Sequence, residues 1–295
     1  MIIPVAIIGA GPAGIAAAIQ LQRSGIEFLL LEKNRIGGLL NEANLVENFP
    51  GIANGVPGKT LAARLKRQLS AAGINIEKAQ VLSLGYHDGC FMMQTEKQII
   101  MAGKVILTCG TLPISPGPPL SQLQLQERIF DSVLPLLGTK QKTIAIIGGG
   151  DAAFDYALNL AGKNKVHILN RSGKLRTLPV LLNRCRLHPN IIIHENSRLT
   201  NVMSKDGATE IILNILNPIS GRKNEIVCHL ILTAIGRVPA LHFLAPELRS
   251  AIAELQLQKK IFLAGDVGNG RFRQATIASA DGLRAAMEIH AEEIK

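Results

Sequence analysis

Tryptophan is missing from this chain altogether, and aromatic residues of all kinds make up only 3% of its 295 positions. With so few rings and no recognition motif, the composition argues against a nucleic-acid partner, in spite of a formal net charge of +10. Cysteine is also scarce. The four present, Cys90, Cys109, Cys185 and Cys228, are scattered without a C-x-x-C pair or a metal-ligand spacing. That pattern argues against a disulfide framework, offers no metal site and fits a reducing compartment. No apolar run is long enough to span a bilayer. The apolar N-terminus lacks a basic leader and a cleavage site, and its hydrophobic residues belong to a first strand and helix. The expectation is a cytoplasmic protein without a membrane span. Its length and 47% hydrophobic content allow two domains of ordinary size.

What the chain does have is a glycine turn in full context. Val5 to Ile8 reads as a buried parallel strand, Gly9, Gly11 and Gly14 lead into an alanine-rich helix, and Phe28 to Leu31 reads as a second strand ending in Glu32. In such a turn the first glycine permits the bend, the second lets a pyrophosphate approach the backbone, and the third lets helix and strand pack closely. The start of the helix offers free N–H groups and a partial positive charge to that pyrophosphate. Glu32 is suited to accept hydrogen bonds from an adenosine ribose.

Further along, Gly37 and Gly38 precede a polar stretch, and Pro50 and Gly51 mark a rigid turn in a loop that runs to Gly58. A helix is expected from about Lys59 to Ala72. Residues 74–101 alternate in short runs broken at Gly85 and at Asp88-Gly89, which predicts a small antiparallel layer. Lys104 to Thr108 reads as a separate buried strand ending at Cys109-Gly110. Pro113, Pro116, Pro118 and Pro119 then mark a linker.

Beyond the linker the opening unit returns. Ile144 to Ile147 is a strand, Gly148 to Ala153 the turn, Phe154 to Ala161 the beginning of a helix, and Val166 to Leu169 the next strand. Gly14 and Glu32 are eighteen residues apart, and the same step from Ala153 reaches Arg171. A carboxylate at this place favours a free ribose hydroxyl, whereas an arginine accommodates a 2′-phosphate, so the first site suits FAD and the second NADPH. Arg176 can join the same clamp. The surrounding region is basic, with nine Lys or Arg against Asp151 and Asp155 between Lys140 and Asn190, a charge that attracts phosphates or an acidic partner. Near the end, Ile261 to Ala264 reads as a strand followed by Gly265-Asp266, where an Asp can hold a ribityl hydroxyl. A helix from Arg273-Gln274-Ala275 to about Ile294 would turn its positive end toward a flavin ring.

In this order GAGPAG (9–14), ENFPG (47–51), GGGDAA (148–153), AIGRVP (234–239), AGDV (264–267) and RQA (273–275) make the chain resemble the low-molecular-weight thioredoxin reductases, over almost its whole length. The resemblance implies an α/β fold of two Rossmann-like, three-layer dinucleotide-binding domains, the second inserted into the first. Residues 1–112 and 246–295 would bind FAD and 116–243 NAD(P)H, in a homodimer. It implies FAD contacts from Gly9, Gly11, Pro12, Ala13, Gly14, Glu32, Lys33, Gly38, Asn48, Gly110, Gly265, Asp266, Arg273, Gln274 and Ala275. For NADPH or NADH it implies contacts from Gly148, Gly150, Asp151, Ala152, Ala153, Arg171, Arg176 and Arg237.

The chain departs from that family at its reactive centre. Ungapped alignment back from Gly148 sets Asp131-Ser132-Val133-Leu134 on the family's C-x-x-C, so Asp131 and Leu134 stand where the two cysteines belong. Thiol–disulfide exchange needs an attacking thiolate and a resolving partner. Leu39 replaces a flavin-contacting Gln, and Asn170-Arg171-Ser172 stands where the family has His-Arg-Arg. The expectation is an FAD-dependent NAD(P)H oxidoreductase with no catalytic side chain besides the flavin. It would reduce an acidic electron carrier such as ferredoxin or flavodoxin, or a small-molecule acceptor. A flavin-binding sensor without turnover, and a disulfide reductase working through Cys109 alone, are the alternatives. His167 and His194 read as strand-edge residues without a proton-transfer role.

Overall fold

The computed structural model describes residues 2–122, 126–204 and 210–294. Two compact units divide the chain: residues 1–41, 45–112 and 238–295 form the first, and residues 42–44 and 113–237 the second.

The first unit begins with β1 (Ile2–Ile8), α1 (Pro12–Arg23) and β2 (Phe28–Glu32). It continues through α2 (Gly58–Ala71), β3 (Ile76–Lys78), β4 (Val81–His87), β5 (Cys90–Thr95) and β6 (Ile99–Leu107). The sheet order is β3-β2-β1-β6-β5-β4, parallel as far as β6 and antiparallel beyond it. Two expectations need correction here. The strand read at Lys104 to Thr108 is not separate, because β6 runs unbroken from Ile99. Its first half pairs with β5 and its second half with the strand that arrives from the end of the chain. Gly85 likewise does not interrupt β4; the hairpin turns at Asp88 and Gly89, whose φ values of 48° and 80° suit a tight two-residue connection.

The second unit opens after β7 (Thr111–Pro113) with β8 (Ile129–Phe130), β9 (Thr143–Ile147), α3 (Asp151–Ala161), β10 (Lys165–Leu169), α4 (Pro179–Leu187) and β11 (Ile191–His194). There follow β12 (Arg198–Ser204), β13 (Ile211–Leu216), β14 (Lys223–Cys228), β15 (Leu230–Thr233) and β16 (Arg237–Pro239). Its parallel sheet has the order β11-β10-β9-β15-β8. One face buries Ile144, Ile146, Val166 and Ile168 with Phe154, Ala157 and Leu160 of α3. The other face buries Ala145, Leu169 and Ile231 with Ile211, Leu213, Ile215 and Ile226 of the antiparallel β12-β13-β14 layer. Strands apolar on both faces need cover on both sides, and the three layers supply it.

The chain returns to the first unit at Val238, earlier than the expected boundary at 243. The connector is tied to the first unit by partners distant in sequence: Ala240 N donates to Gly110 O, and Leu84 N donates to Phe243 O and Ala245 N to Leu84 O along β4. Residues 42–44 also group with the second unit, which the continuous run expected from 1 to 112 did not foresee. After α5 (Pro246–Leu257), β17 (Ile261–Leu263) pairs in parallel with Val105 to Leu107 of β6, and α6 (Ala275–Glu293) packs on α1.

That last packing explains an otherwise unfavourable residue. Glycine inside a helix costs about 1 kcal/mol relative to alanine, yet Gly282 sits within α6. A Cβ there would stand 1.9 Å from Ala13 O, so the glycine allows α6 to touch the α1 backbone. Gly282→Ala should destabilise the protein by roughly 1–3 kcal/mol through overpacking, read as a lower midpoint in urea unfolding.

Candidate cofactor sites

In the first unit, the turn after β1 is shaped by contacts that only glycine permits. Gly9 has φ +111°, and a Cβ on it would lie 2.6 Å from Thr108 O; a Cβ on Gly14 would lie 1.9 Å from Gly9 O. Gly11 differs, since nothing stands within 4 Å of its Cβ position. It caps α1 without a side-chain hydrogen bond, followed by Pro12, Ala13 and Gly14, so the first N–H groups of the helix remain available to an anion. Glu32 is fixed at the end of β2: Ala10 N donates to its Oε2 and Asn34 N to its Oε1, both at 2.7 Å. Each carboxylate oxygen keeps capacity for a further donor. Gly37 N donates to Ala10 O at 2.7 Å, and Gly38, with φ +52°, follows beside Gly11, its Cβ position 3.5 Å from Gly11 Cα. Lys33 is exposed.

Residues from the two ends of this unit meet. Asn48 Nδ2 donates to Gln274 Oε1 at 2.9 Å across 226 positions, and Thr276 Oγ1 donates to Asn48 O at 3.3 Å. Gln274 caps α6 with no side-chain cap bond, and Ala275 begins the helix. Gly265, at φ +81°, has its Cβ position 2.9 Å from Ala13 Cβ, while its N–H donates to Asp281 Oδ2 at 3.2 Å. Asp266 and Arg273 are half-buried. Gly110, at φ +67°, accepts from Ala240 N at 3.0 Å. Two participants escaped sequence reasoning. The Thr108 hydroxyl donates to Gly9 O at 2.6 Å and holds the turn, and Asp281 gathers Gly265 N and Asn269 Nδ2. A hydroxyl residue closing β6 beside the turn was the available signal for the first; Asp281 had none.

The second unit repeats the arrangement with different bracing. Gly148 has φ +154°, and its Cβ position is 2.3 Å from Ala234 O. Gly150 caps α3 without a side-chain bond, ahead of Asp151, Ala152 and Ala153. Arg176 N donates to Gly149 O at 2.8 Å, and Leu178 N donates to Asp151 Oδ1 at 2.8 Å. The segment carrying Arg171 and Arg176 is thereby drawn to the glycine turn, with both arginines exposed. Asp151 is engaged in holding that segment. Asn170, only 6% exposed, donates from Nδ2 to Ser172 O at 2.5 Å, and its Oδ1 lies 2.3 Å from the Cβ position of Gly149. This brace was missed because a lone Asn at a strand end carries no distinctive pattern. Arg237 opens β16 and lowers the electrostatic cost of ionising Tyr156.

Asp131 is exposed and Leu134 half-buried, and between them Ser132 is committed to a polar cluster. Its hydroxyl donates to Glu42 Oε1 at 2.9 Å, Tyr156 OH donates to Glu42 Oε2 at 2.6 Å, and Asn159 Nδ2 donates to Glu42 O at 2.9 Å. Glu42 is 8% exposed, so the Ser132 and Tyr156 hydroxyls replace water that its buried carboxylate loses. Burial, and then the neighbouring carboxylate, push the Tyr156 phenol well above its ordinary pKa.

Compared with known families, residues 3–282 match the model described as pyridine nucleotide-disulphide oxidoreductase. The chain belongs to that family. It is a member of the low-molecular-weight thioredoxin reductase-like branch, in a family that binds FAD and NAD(P)H. A thioredoxin reductase of Yarrowia lipolytica is 30% identical over 311 residues, covering 97% of this chain and 96% of the relative. NADPH-dependent thioredoxin reductase 3 of Arabidopsis thaliana is 29% identical, covering 96% of this chain, which spans 57% of that longer relative. The crystal structure of Lactococcus lactis thioredoxin reductase superposes with a TM-score of 0.86 at 25% identity, over 99% of both chains. Among the described residues no helix is long and apolar enough to cross a membrane.

All four cysteines are free. Burial pushes Cys109, Cys185 and Cys228 up to about 12, and Cys109 Sγ donates to Ala240 O at 3.4 Å. Thiols with such values are almost wholly protonated at neutral pH and poor nucleophiles.

The two histidines form a pair. His167 is not at a sheet edge, since β10 lies between β11 and β9; it is 9% exposed, and its Nδ1 lies 2.9 Å from His194 Nε2 with the rings stacked. Burial, then the charges of His194 and Lys165, lower the His167 pKa from 6.5 to about 4, and burial lowers that of His194. The unfolded chain therefore takes up a proton near pH 6.5 that the folded chain refuses until near pH 4. Stability should fall through that window as pH drops, by about 2 kcal/mol for His167 at pH 4.5. Urea unfolding at pH 7 and 4.5 measures the loss, which His167→Gln should reduce.

Proposed function

We propose that this chain is an NAD(P)H-dependent flavoprotein oxidoreductase that delivers electrons to an acceptor outside itself, because it has no internal dithiol to receive them. The observation that carries this reading is the segment 131–134. It reads Asp-Ser-Val-Leu, its Ser132 is engaged by Glu42, and no two cysteines among the described residues are paired.

The residues fit the two cofactors. In the first unit, the open space over Gly11, the uncapped start of α1 and the oriented Glu32 suit the pyrophosphate and ribose of FAD. Asn48, Asp266, Gln274 and Ala275 would complete that site. In the second unit, the uncapped start of α3 after Gly150, with Arg171 and Arg176 on the tied segment, suits the phosphates of NADPH or NADH. When bound, FAD supplies the redox chemistry, accepting hydride from NAD(P)H and passing electrons to the acceptor. The protein's part is to bind, orient and hold charge.

Acceptors consistent with the missing dithiol are an acidic carrier of the ferredoxin or flavodoxin class, a quinone-like small molecule, or dioxygen. The basic second unit favours an acidic carrier through electrostatic complementarity. A homodimer and a cytoplasmic location belong to the same reading, the second supported by four free thiols. Reduction of a disulfide through Cys109 finds less support, given its protonated, hydrogen-bonded thiol.

Anaerobic stopped-flow mixing with NADPH and with NADH tests the proposal. Loss of the flavin's visible absorbance with at least one donor is expected, and bound flavin that neither donor bleaches would instead indicate a binding or sensing protein. Cys109→Ser should keep steady-state reduction of an artificial acceptor within about twofold of the parent, as expected when electrons pass from the flavin to the acceptor without a thiol. Reduction of a disulfide substrate by the parent that is lost in Cys109→Ser while reduction of the artificial acceptor persists would establish the single-cysteine route.

A further inference from the structure

Away from both glycine turns, the second unit carries a groove of about 410 Å³ lined by Gln141, Lys142, Lys163, Asn164, Lys165 and Asn190. These residues lie just before β9, between α3 and the start of β10 at Lys165, and just before β11, whereas the glycine turn lies after β9. The length of β9 separates the two places by about 16 Å, at about 3.3 Å per residue.

The groove has a tied floor. Gln141 N donates to Lys163 O at 2.8 Å and Lys165 N to Lys142 O at 2.9 Å. Asn164, 4% exposed, accepts from Lys142 N at 3.1 Å through Oδ1 and donates from Nδ2 to Thr139 O at 3.0 Å. Asn190 Nδ2 donates to Ala161 O at 2.9 Å. These bonds hold together the segments that carry the three lysines. No carboxylate lines the groove, and among the described residues none of Lys142, Lys163 and Lys165 forms an ion pair. The negative end of α3 accounts for one nearby cation, but not for three. Three exposed lysines lining one concavity with no acidic residue in its lining give it a positive field, and lysine binds phosphate as a point charge. The volume lies at the small end of the range for small-molecule sites.

We propose that this groove binds a small oligophosphate, at a site distinct from the dinucleotide site and independent of the redox reading. The phosphate chain could be free or part of a nucleotide. The test is isothermal titration calorimetry of the purified protein in excess NADP⁺ with inorganic tripolyphosphate, then ATP, then poly-L-glutamate. The parent is compared with the triple variant Lys142→Gln, Lys163→Gln, Lys165→Gln and with the single variant Lys163→Glu, each verified as folded by circular dichroism.

The expected result is one tripolyphosphate site that persists with NADP⁺ present, weakens with added salt, and loses on the order of tenfold or more in affinity in both variants. ATP binding as tightly would identify nucleotide phosphates as the source, and weaker ATP binding a free oligophosphate. Absence of tripolyphosphate binding, its displacement by NADP⁺, or equal binding by parent and variants would overturn the proposal. Binding of polyglutamate alone would overturn it too, in favour of an acidic protein surface.

Discussion

The start of α1 is pressed on two sides by backbone. Gly14 leaves room for the carbonyl of Gly9, and Gly282 leaves room for the carbonyl of Ala13; any side chain at either position would overlap those oxygens. The first contact fixes the angle at which α1 leaves β1, and the second fixes α6 against α1. Because α6 also starts beside Asn48, the same packing brings α6 to the loop between β2 and α2. The proposed FAD-binding groups are therefore positioned by close contacts at sites where glycine is obligatory.

The second unit solves the same geometric problem with a polar brace. Its turn is narrowed by Ala234 O against Gly148 and by the Asn170 side chain against Gly149. Asn170 also holds Ser172, so the arginine-bearing segment and the glycine turn share one buried amide. A neutral buried amide can fix a loop at lower desolvation cost than a buried charge. Arg171 and Arg176 remain exposed beside it, where a phosphate can reach them.

The Ser132, Glu42 and Tyr156 cluster is a buried polar knot within the second unit. A buried carboxylate with three protein donors around its residue, two to its side chain and one to its carbonyl, is costly to disturb. Ser132 contributes to that cluster from the segment expected to replace the family's thiols. On the proposed reading the chemistry rests with bound cofactors, and the lysines around the β9 entrance form a separate electrostatic feature of the same unit.

Much of this protein could be read directly from its residues. Glycine spacing, short apolar strands and the acid-to-base change between Glu32 and Arg171 are local properties, because steric room, burial period and charge travel with the residue itself. They determined two nucleotide-type units, and the missing C-x-x-C determined the absence of a dithiol. Other features depended on positions distant in sequence. The unbroken β6 follows from its two half-partners, the boundary at Val238 from bonds to β4, and the meeting of Asn48 with Gln274 from the packing of α6. Glu42 looks like an ordinary surface acid until Ser132, Tyr156 and Asn159 surround it, and His167 like an edge residue until β11 covers it. Local sequence encodes which contacts a residue can make, and tertiary structure decides which partner arrives to make them.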